Sequence, residues 1–319
     1  MRRIAVMTSG GDAPGMNAAV RAVVRRAAAA GVLVTGIRRG YFGLLGCEFQ
    51  PLSIDSVHDI IHRGGTMLLT ARCPEFQTAP GQAAGSRNLR AAGIEGLICV
   101  GGDGSLRGCL ALESCGIPTV GVPGTIDNDL AGTDATIGFD TAVNTAVQAV
   151  DRVRDTAAAH ERTFVVEVMG RRSGFIALAT GLACGAETIL VPEIPWSAEA
   201  VCRRLRRGLE RGLRQNLIVL AEGAGHALEL GAQIESSTGL ETRVTILGHV
   251  QRGGSPTAVD RNLASRLGAA AVEFLVEGHH GVMAGLQGNV PVGVPLRRAV
   301  AARRALDPTL RDLASILSA

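Results

Sequence analysis

The feature that most constrains this chain is a unit that recurs along it: a short continuous apolar run, a glycine-rich loop, then an alanine-rich segment of helical character. Ile4–Met7 leads into TSGGDAPGMN and a helix to about Ala30, and Gly96–Val100 leads into GGDGSLRG and a helix to about Ser114. Thr163–Val168 leads into MGRRSG and a helix ending near Cys184, while Leu217–Ala221 stops at Glu222-Gly223. Val244–Leu247 runs into GHVQRGGSP before a helix of roughly Ala258–Glu277. Strands that are apolar on both faces need cover on both faces, so their alternation with helices predicts an α/β protein with mainly parallel sheets. Ligands of such sheets collect beyond the carboxyl ends of the strands, where all these loops lie. At 319 residues the length favours two domains. The likeness of TSGGDAPGMNAAV to VMGRRSGFIALA suggests two similar halves.

Composition narrows the chemistry. All 32 basic residues are Arg, which removes any mechanism needing a lysine Schiff base, a pyridoxal-phosphate lysine or a P-loop lysine. Anions must then be held by guanidinium forks and backbone N–H groups. An aromatic share of 3% argues against stacking platforms for single-stranded nucleic acid, and a net charge of +3 against a polyanion-binding surface. The seven cysteines form no C-x-x-C pair and read as reduced thiols. No stretch approaches a membrane span, and the apolar run after the basic start is too short for a signal peptide; the expectation is a soluble cytoplasmic protein.

Three loops carry the chemistry. Gly10-Gly11-Asp12-Ala13-Pro14-Gly15 lies between a strand and a helix start, where glycines admit a phosphate and the helix end supplies free N–H groups. A structural β–α turn would also use these glycines, and the loop fits neither the P-loop nor the dinucleotide fingerprint. Gly101-Gly102-Asp103-Gly104-Ser105 repeats the device around a carboxylate. That carboxylate makes sense beside an anion if Mg²⁺ bridges them; alternatively Asp103 caps the following helix. This loop is a nucleotide-kinase signal that would equally suit NAD or diacylglycerol kinases. Pro123-Gly124-Thr125-Ile126-Asp127-Asn128-Asp129 sets two carboxylates two residues apart after the apolar Thr119–Val122. One of them can accept the proton of an alcohol undergoing phosphorylation; an Asp/Asn-rich turn is the alternative. Arg162, Arg171, Arg243 and Arg252, with His249, lie at or beside strand ends and could grip a monophosphate, though each alone reads as a surface ion pair.

Read together, TSGGDAPGMN, GGDG, PGTIDND, VVEVMGR and LGHVQRGGSP resemble, in order and spacing from residue 3 to about residue 276, the bacterial ATP-dependent 6-phosphofructokinases. The resemblance implies two Rossmann-like three-layer α/β/α domains with the active site in the cleft between them. A larger ATP-binding domain would comprise 1–138 plus 251–303, and a smaller fructose-6-phosphate-binding domain 139–250 plus 304–319. It also implies a homotetramer with active sites shared between subunits.

By matching position, Asp127 is the base for the sugar's 1-hydroxyl, with Thr125 and Asp129 beside it, and Arg171 and Arg72 steady the migrating phosphoryl group. ATP would lie on Gly11, Tyr41, Arg72, Cys73, Gly102, Asp103, Gly104, Ser105 and Gly108, with Asp103 toward Mg²⁺. Fructose 6-phosphate would meet Thr125, Asp127, Met169, Gly170, Arg171, Glu222, His249 and Arg252, with Arg162 and Arg243 reaching in from a neighbouring subunit.

Pyrophosphate-using relatives typically carry Asp at position 104 and Lys at 124; Gly104 and Gly124 leave that space to the α-phosphate of ATP. Arg21, Arg25, Asp59, Arg154, Gly185, Glu187 and Arg211 match the effector pocket for ADP or phosphoenolpyruvate. Ile54, Leu213 and Gln215 depart from it, since basic residues are usual there; Arg214 could replace part of the lost charge. The other readings are a pyrophosphate-linked or broad-specificity sugar-phosphate kinase, and a catalytically silent nucleotide-sensing paralogue.

Overall fold

After Arg3, every residue of the first strand is buried, and Ile4, Ala5, Val6 and Met7 are wholly so. Such a strand must lie inside a sheet covered on both sides. The computed structural model describes residues 1–160, 162–213 and 215–317 and builds on that strand as follows.

The chain opens with β1 (Arg3–Ser9), α1 (Met16–Ala29), β2 (Leu33–Ile37), α2 (Gly40–Leu45) and β3 (Phe49–Leu52). It continues through α3 (Ala79–Ala91), β4 (Gly96–Gly101), α4 (Asp103–Ser114), β5 (Thr119–Pro123) and α5 (Phe139–His160). Next come β6 (Thr163–Val168), α6 (Phe175–Cys184), β7 (Thr188–Leu190), α7 (Ala198–Glu210), β8 (Asn216–Ala221), α8 (Ala227–Thr238) and β9 (Thr242–Ile246). The last elements are α9 (Ala258–Val276), β10 (Val282–Gln287), β11 (Val290–Pro295), α10 (Leu296–Ala301) and α11 (Pro308–Leu317).

These elements form two compact units. One comprises Met1–Ile126, Leu130–Thr141 and Arg252–Arg304; the other comprises Asp127–Asp129, Ala142–Gln251 and Ala305–Ala319. The first unit holds a seven-stranded sheet ordered β11-β10-β5-β4-β1-β2-β3. Its interior strands run parallel, and only the edge strands β3 and β11 pair antiparallel with their neighbours. Both edges carry proline, Pro51 in β3 and Pro291 and Pro295 in β11, where a missing N–H costs no ladder bond inside the sheet. On one face α1 crosses α9 so closely that a Cβ on Gly268 would lie 2.7 Å from the Ala19 carbonyl oxygen. The second unit holds a four-stranded parallel sheet, β7-β8-β6-β9. Its core joins Val165, Leu190, Ile218 and Leu220 to Val201 and Leu205 of α7 and Leu230 and Ile234 of α8.

The α/β layering expected from the apolar runs is present, and two details differ. The arginine-rich segment read as helical over Ser197–Arg214 does start on Ser197, whose hydroxyl accepts from the Ala200 N–H at 3.2 Å. It ends at Glu210, because Gly212 turns left-handed (φ 84°) and Leu213 N–H closes back on the Gly208 carbonyl at 2.9 Å. Arg214 lies outside the described residues. The strand expected at Val244–Leu247 starts earlier, at Thr242, and ends at Ile246.

Candidate active site

In the first unit the parallel register of β1 and β4 sets Ser9 opposite Gly101, so the loops that follow them start side by side. A Cβ on Gly10 would lie 3.1 Å from the Ser105 hydroxyl. Neither α1 nor α4 receives a side-chain cap, and α1 has no acidic residue in its first turn. Both helix starts thus keep N–H groups and a partial positive charge available to an anion. Gly102 occupies the cap position of α4 and Asp103 is the first helical residue, so Asp103 is not the cap. Its half-exposed carboxylate instead meets the Arg107 Nε at 3.0 Å, one turn along.

Tyr41 lies beneath α4. Its ring stacks on Phe76 at 4.1 Å, its hydroxyl donates to the Ser105 carbonyl at 2.7 Å, and a Cβ on Gly108 would run into the ring. Burial, with Cys109 and Cys99 alongside, pushes the phenol well above its ordinary value, so it stays a donor. Cys73 packs against the core that holds Tyr41 and Cys109, and Arg72 beside it is exposed. Arg252 comes to the first loop: its Nη1 donates to the Asp12 carbonyl at 3.1 Å and lies 2.6 Å from where a Cβ on Gly11 would be. An arginine expected on the sugar phosphate thus sits on a loop expected to hold nucleotide.

Leaving β5, Gly124 N–H donates to the Gly101 carbonyl at 3.1 Å and Thr125 N–H to the Ile137 carbonyl at 3.1 Å. The Thr125 carbonyl takes the Thr136 hydroxyl at 2.6 Å, and a Cβ on Gly102 would touch the Thr125 side chain at 3.4 Å. Asp127 and Asn128 are buried, at 5% and 4% exposure, Asn128 turns left-handed (φ 52°), and Asp129 is half-buried. Gly104 faces open space. Gly124 does not: a Cβ there would lie 2.9 Å from Val100 Cγ1 and 3.1 Å from Met16 Cε, so in this chain its neighbours' packing favours glycine there apart from any ligand.

In the second unit Glu222, just past β8, accepts from the backbone N–H groups of Gly170 at 3.2 Å and Arg171 at 2.6 Å. That carboxylate fixes the turn after β6, in which Gly170 (φ 141°) and Arg171 (φ 55°) take positive φ and Arg171 faces solvent. Met169 before them is buried. Ser173 closes the turn on Gly170 and donates its hydroxyl to the Asp127 carbonyl at 2.8 Å. Arg162 and Arg243 both meet Glu241, Arg162 at 2.8 Å. His249 is exposed on a 3-10 turn, Gly248–Gln251.

The effector-type residues divide between the units. On α1 the buried Nε atoms of Arg21 and Arg25 find no acceptor among the described residues, while Asp59 pairs with Arg63 at 3.0 Å. In the second unit Arg154 donates to the carbonyls of Cys184 and Gly185 and lies 3.7 Å from Glu187. Arg211 closes the end of α7. Among the described residues no three His, Cys, Asp or Glu side chains gather as a metal site, all seven cysteines are free thiols, and no helix is long and apolar enough to cross a membrane.

Among the structural residues that escaped the sequence reading are Asn17, Ser173 and Asp260. Each follows a glycine-rich stretch, but only Asp260 carried a legible signal, the T-x-x-D spacing from Thr257 that opens a helix.

Comparison with known proteins agrees with this geometry. The model of the family described as Phosphofructokinase matches residues 3–275. A protein of Bacillus licheniformis named ATP-dependent 6-phosphofructokinase is 56% identical over 318 residues, covering 100% of both chains. One of the same name from Bacillus subtilis is 55% identical over 318 residues. Among solved structures, phosphofructokinase from Saccharomyces cerevisiae superposes with a TM-score of 0.87 at 36% identity, over 99% of this chain and 47% of that one. A pyrophosphate-dependent phosphofructokinase from Marinobacter aquaeolei, at 24% identity and a TM-score of 0.86, shares the fold. Motif order, loop geometry and end-to-end identity point the same way, and this chain belongs to the phosphofructokinase family.

Proposed function

We propose that this chain is an ATP-dependent 6-phosphofructokinase, transferring the γ-phosphoryl group of ATP to the 1-hydroxyl of fructose 6-phosphate to give fructose 1,6-bisphosphate and ADP. The reaction is the committed step of glycolysis. The observation that carries the reading is the buried Asp127 carboxylate, two residues after a Thr125 that packs against the Gly102 loop. Asp127 takes the hydroxyl proton as the oxygen attacks phosphorus, with Thr125 and Asp129 shaping its surroundings. Phosphoryl transfer asks the protein mostly for alignment and for positive charge on the migrating group, the part given to Arg72 and Arg171. Gly11, Gly102, Gly104, Ser105 and Gly108 let the nucleotide approach backbone closely, with Tyr41 supporting them from below and Cys73 beside Arg72.

Mg²⁺ fits the donors present. It favours oxygen ligands and binds through one or two carboxylates plus substrate phosphates rather than an all-protein cage, and Asp103 offers one carboxylate at a helix start open to phosphate. When bound, the ion would neutralise charge on the phosphates. Met169, Gly170, Glu222, His249 and Arg252 take the sugar phosphate, joined by Arg162 and Arg243 from a neighbouring subunit of a homotetramer. The residues 1–138 plus 251–303 serve ATP, and 139–250 plus 304–319 serve fructose 6-phosphate. ADP or phosphoenolpyruvate would act at Arg21, Arg25, Asp59, Arg154, Gly185, Glu187 and Arg211.

The test follows fructose 1,6-bisphosphate formation from fructose 6-phosphate and Mg²⁺, with ATP and pyrophosphate as parallel donors. Turnover with ATP alone is expected. Turnover with pyrophosphate would overturn the donor assignment and leave the Asp127 chemistry standing, while silence of the folded protein with both would overturn the kinase reading.

A further inference from the structure

Between Val57 and Glu75 the described chain forms no helix or strand, yet this segment carries Arg72 and Cys73. Backbone without secondary structure still needs partners for its N–H and C=O groups when it packs on the protein. Here one side chain supplies three of them. Asn17, in the first turn of α1 and 3% exposed, donates from Nδ2 to the carbonyls of Arg63 at 3.0 Å and Gly64 at 3.2 Å. Its Oδ1 accepts from the Met67 N–H at 2.7 Å. Only a primary amide offers two donors and an acceptor on so short a stem. Alanine would strip all three bonds, and aspartate would turn an acceptor toward two carbonyls.

The clamp continues along the loop. The Thr8 hydroxyl donates to the Leu69 carbonyl at 3.0 Å and meets the Thr66 hydroxyl at 2.7 Å, and Leu69 itself holds an uncommon positive φ of 60°. The Thr70 hydroxyl then donates to the Gly10 carbonyl, in the first glycine-rich loop. A strained non-glycine residue persists only where its neighbours over-determine it. Thr8 holds the Leu69 carbonyl and the Leu69 N–H donates to the Thr66 carbonyl at 3.1 Å, while Asn17 holds the chain just before them.

We infer that Asn17 is a positioning residue for phosphoryl transfer: it fixes the 63–70 segment so that Arg72, two residues beyond the tie to Gly10, is presented to the phosphates of the bound nucleotide. This rests on the role given above to Arg72. Asn17 touches no reacting atom and acts through that arginine.

A double-mutant cycle on the full-length enzyme tests it, with Asn17→Ala, Arg72→Ala and the double variant compared in kcat and in KM for each substrate. Asn17→Ala is expected to lower kcat/KM for ATP by about 10- to 100-fold, the scale of an ångström-sized misplacement. Once Arg72 is gone, the same change should cost less than about threefold. Peptide-resolved alkylation gives a readout without turnover: Cys73 should label about tenfold faster in Asn17→Ala, as a loosened loop opens more often, and Cys115 should not.

Full activity of Arg72→Ala would sink the role of that arginine and the inference with it. Loss in Arg72→Ala with purely additive effects, or with unchanged Cys73 labelling, would sink the inference alone. Should Asn17→Ala fail to fold, Thr8→Val, nearly equal in shape, replaces it in the cycle under the same outcomes.

Discussion

Asp127 combines a position almost closed to solvent with a proposed task that would expose it to substrate, so its chemistry can be tested apart from its packing. A positioned base contributes roughly 10²–10⁴-fold to rate, so Asp127→Asn should lower kcat by about that factor with an unchanged circular dichroism spectrum. A folded variant keeping most of its activity would end the assignment. Gly104 offers the complementary experiment. Because a side chain there meets nothing, Gly104→Asp should leave the melting temperature unchanged or slightly raised, an acid in the first turn of α4 being favourable to the helix dipole. It should still raise KM for ATP by roughly tenfold or more, since a second carboxylate beside Asp103 repels phosphate at an effective dielectric near 20. A matching change at Gly124 would instead press on Val100 and Met16 and lower stability, which is why only position 104 isolates the donor question.

The start of α5 and the start of α9 are joined by one carboxylate. Asp260, 1% exposed, accepts from the N–H groups of Gly138 and Thr141, each at 2.8 Å, and from the Thr141 hydroxyl at 2.6 Å, while Thr257 caps its own helix. Burial pushes this carboxyl above its ordinary value of 3.8, against the pull of those three donors. The folded chain therefore binds this proton more tightly than the unfolded one, so Asp260 adds stability at low pH and loses it as pH rises through the window from 3.8 to its raised folded value. Asp260→Asn turns an NH₂ toward N–H donors and should cost about 1–3 kcal/mol at pH 7. The gap in melting temperature from the parent should widen as pH falls toward 4, and a constant gap would show that Asp260 does not titrate in that range. The strands β1, β4, β5, β6, β8 and β9 and the helices α1, α4, α6 and α9 were legible because an apolar run that must be covered on both faces leads into a glycine-rich loop. The interior strands β2 and β10 gave no such signal. The edge strands β3 and β11 were not legible either, since their prolines and half-exposed faces break the apolar pattern. Nor was the clamp of Asn17, because a side chain's choice of carbonyls forty-odd residues away leaves no local periodicity. At α7 the amphipathic pattern outran the helix, since Leu213 continues the stripe of Leu205 and Leu209 past Gly212, where the chain turns left-handed.

The residues proposed to bind an effector come from both units, so the proposed regulation would be a property of the whole molecule. Arg21 and Arg25 bring buried guanidinium nitrogens lacking an acceptor among the described residues, which suits an anionic effector. Elsewhere the set is short of charge: Ile54 and Leu213, where basic residues are usual in the family the chain resembles, are 45% and 54% exposed. A hydrogen bond to a charged group contributes about 1.5–3 kcal/mol, so each missing cation should weaken a phosphate-bearing effector by roughly 10- to 100-fold. Phosphoenolpyruvate should accordingly inhibit only weakly, with little relief by ADP, when fructose 6-phosphate saturation is measured at fixed ATP. Leu213→Arg and Ile54→Arg should each lower the half-inhibiting concentration of phosphoenolpyruvate by about tenfold or more without changing kcat, since neither position touches the proposed reaction centre. Sharp inhibition of the parent enzyme, or arginines that leave the response flat, would mean that effector strength here is set by something other than the charge at these positions. If both arginines sharpen the response, the weakness of the parent enzyme lies in the charge missing at positions 54 and 213.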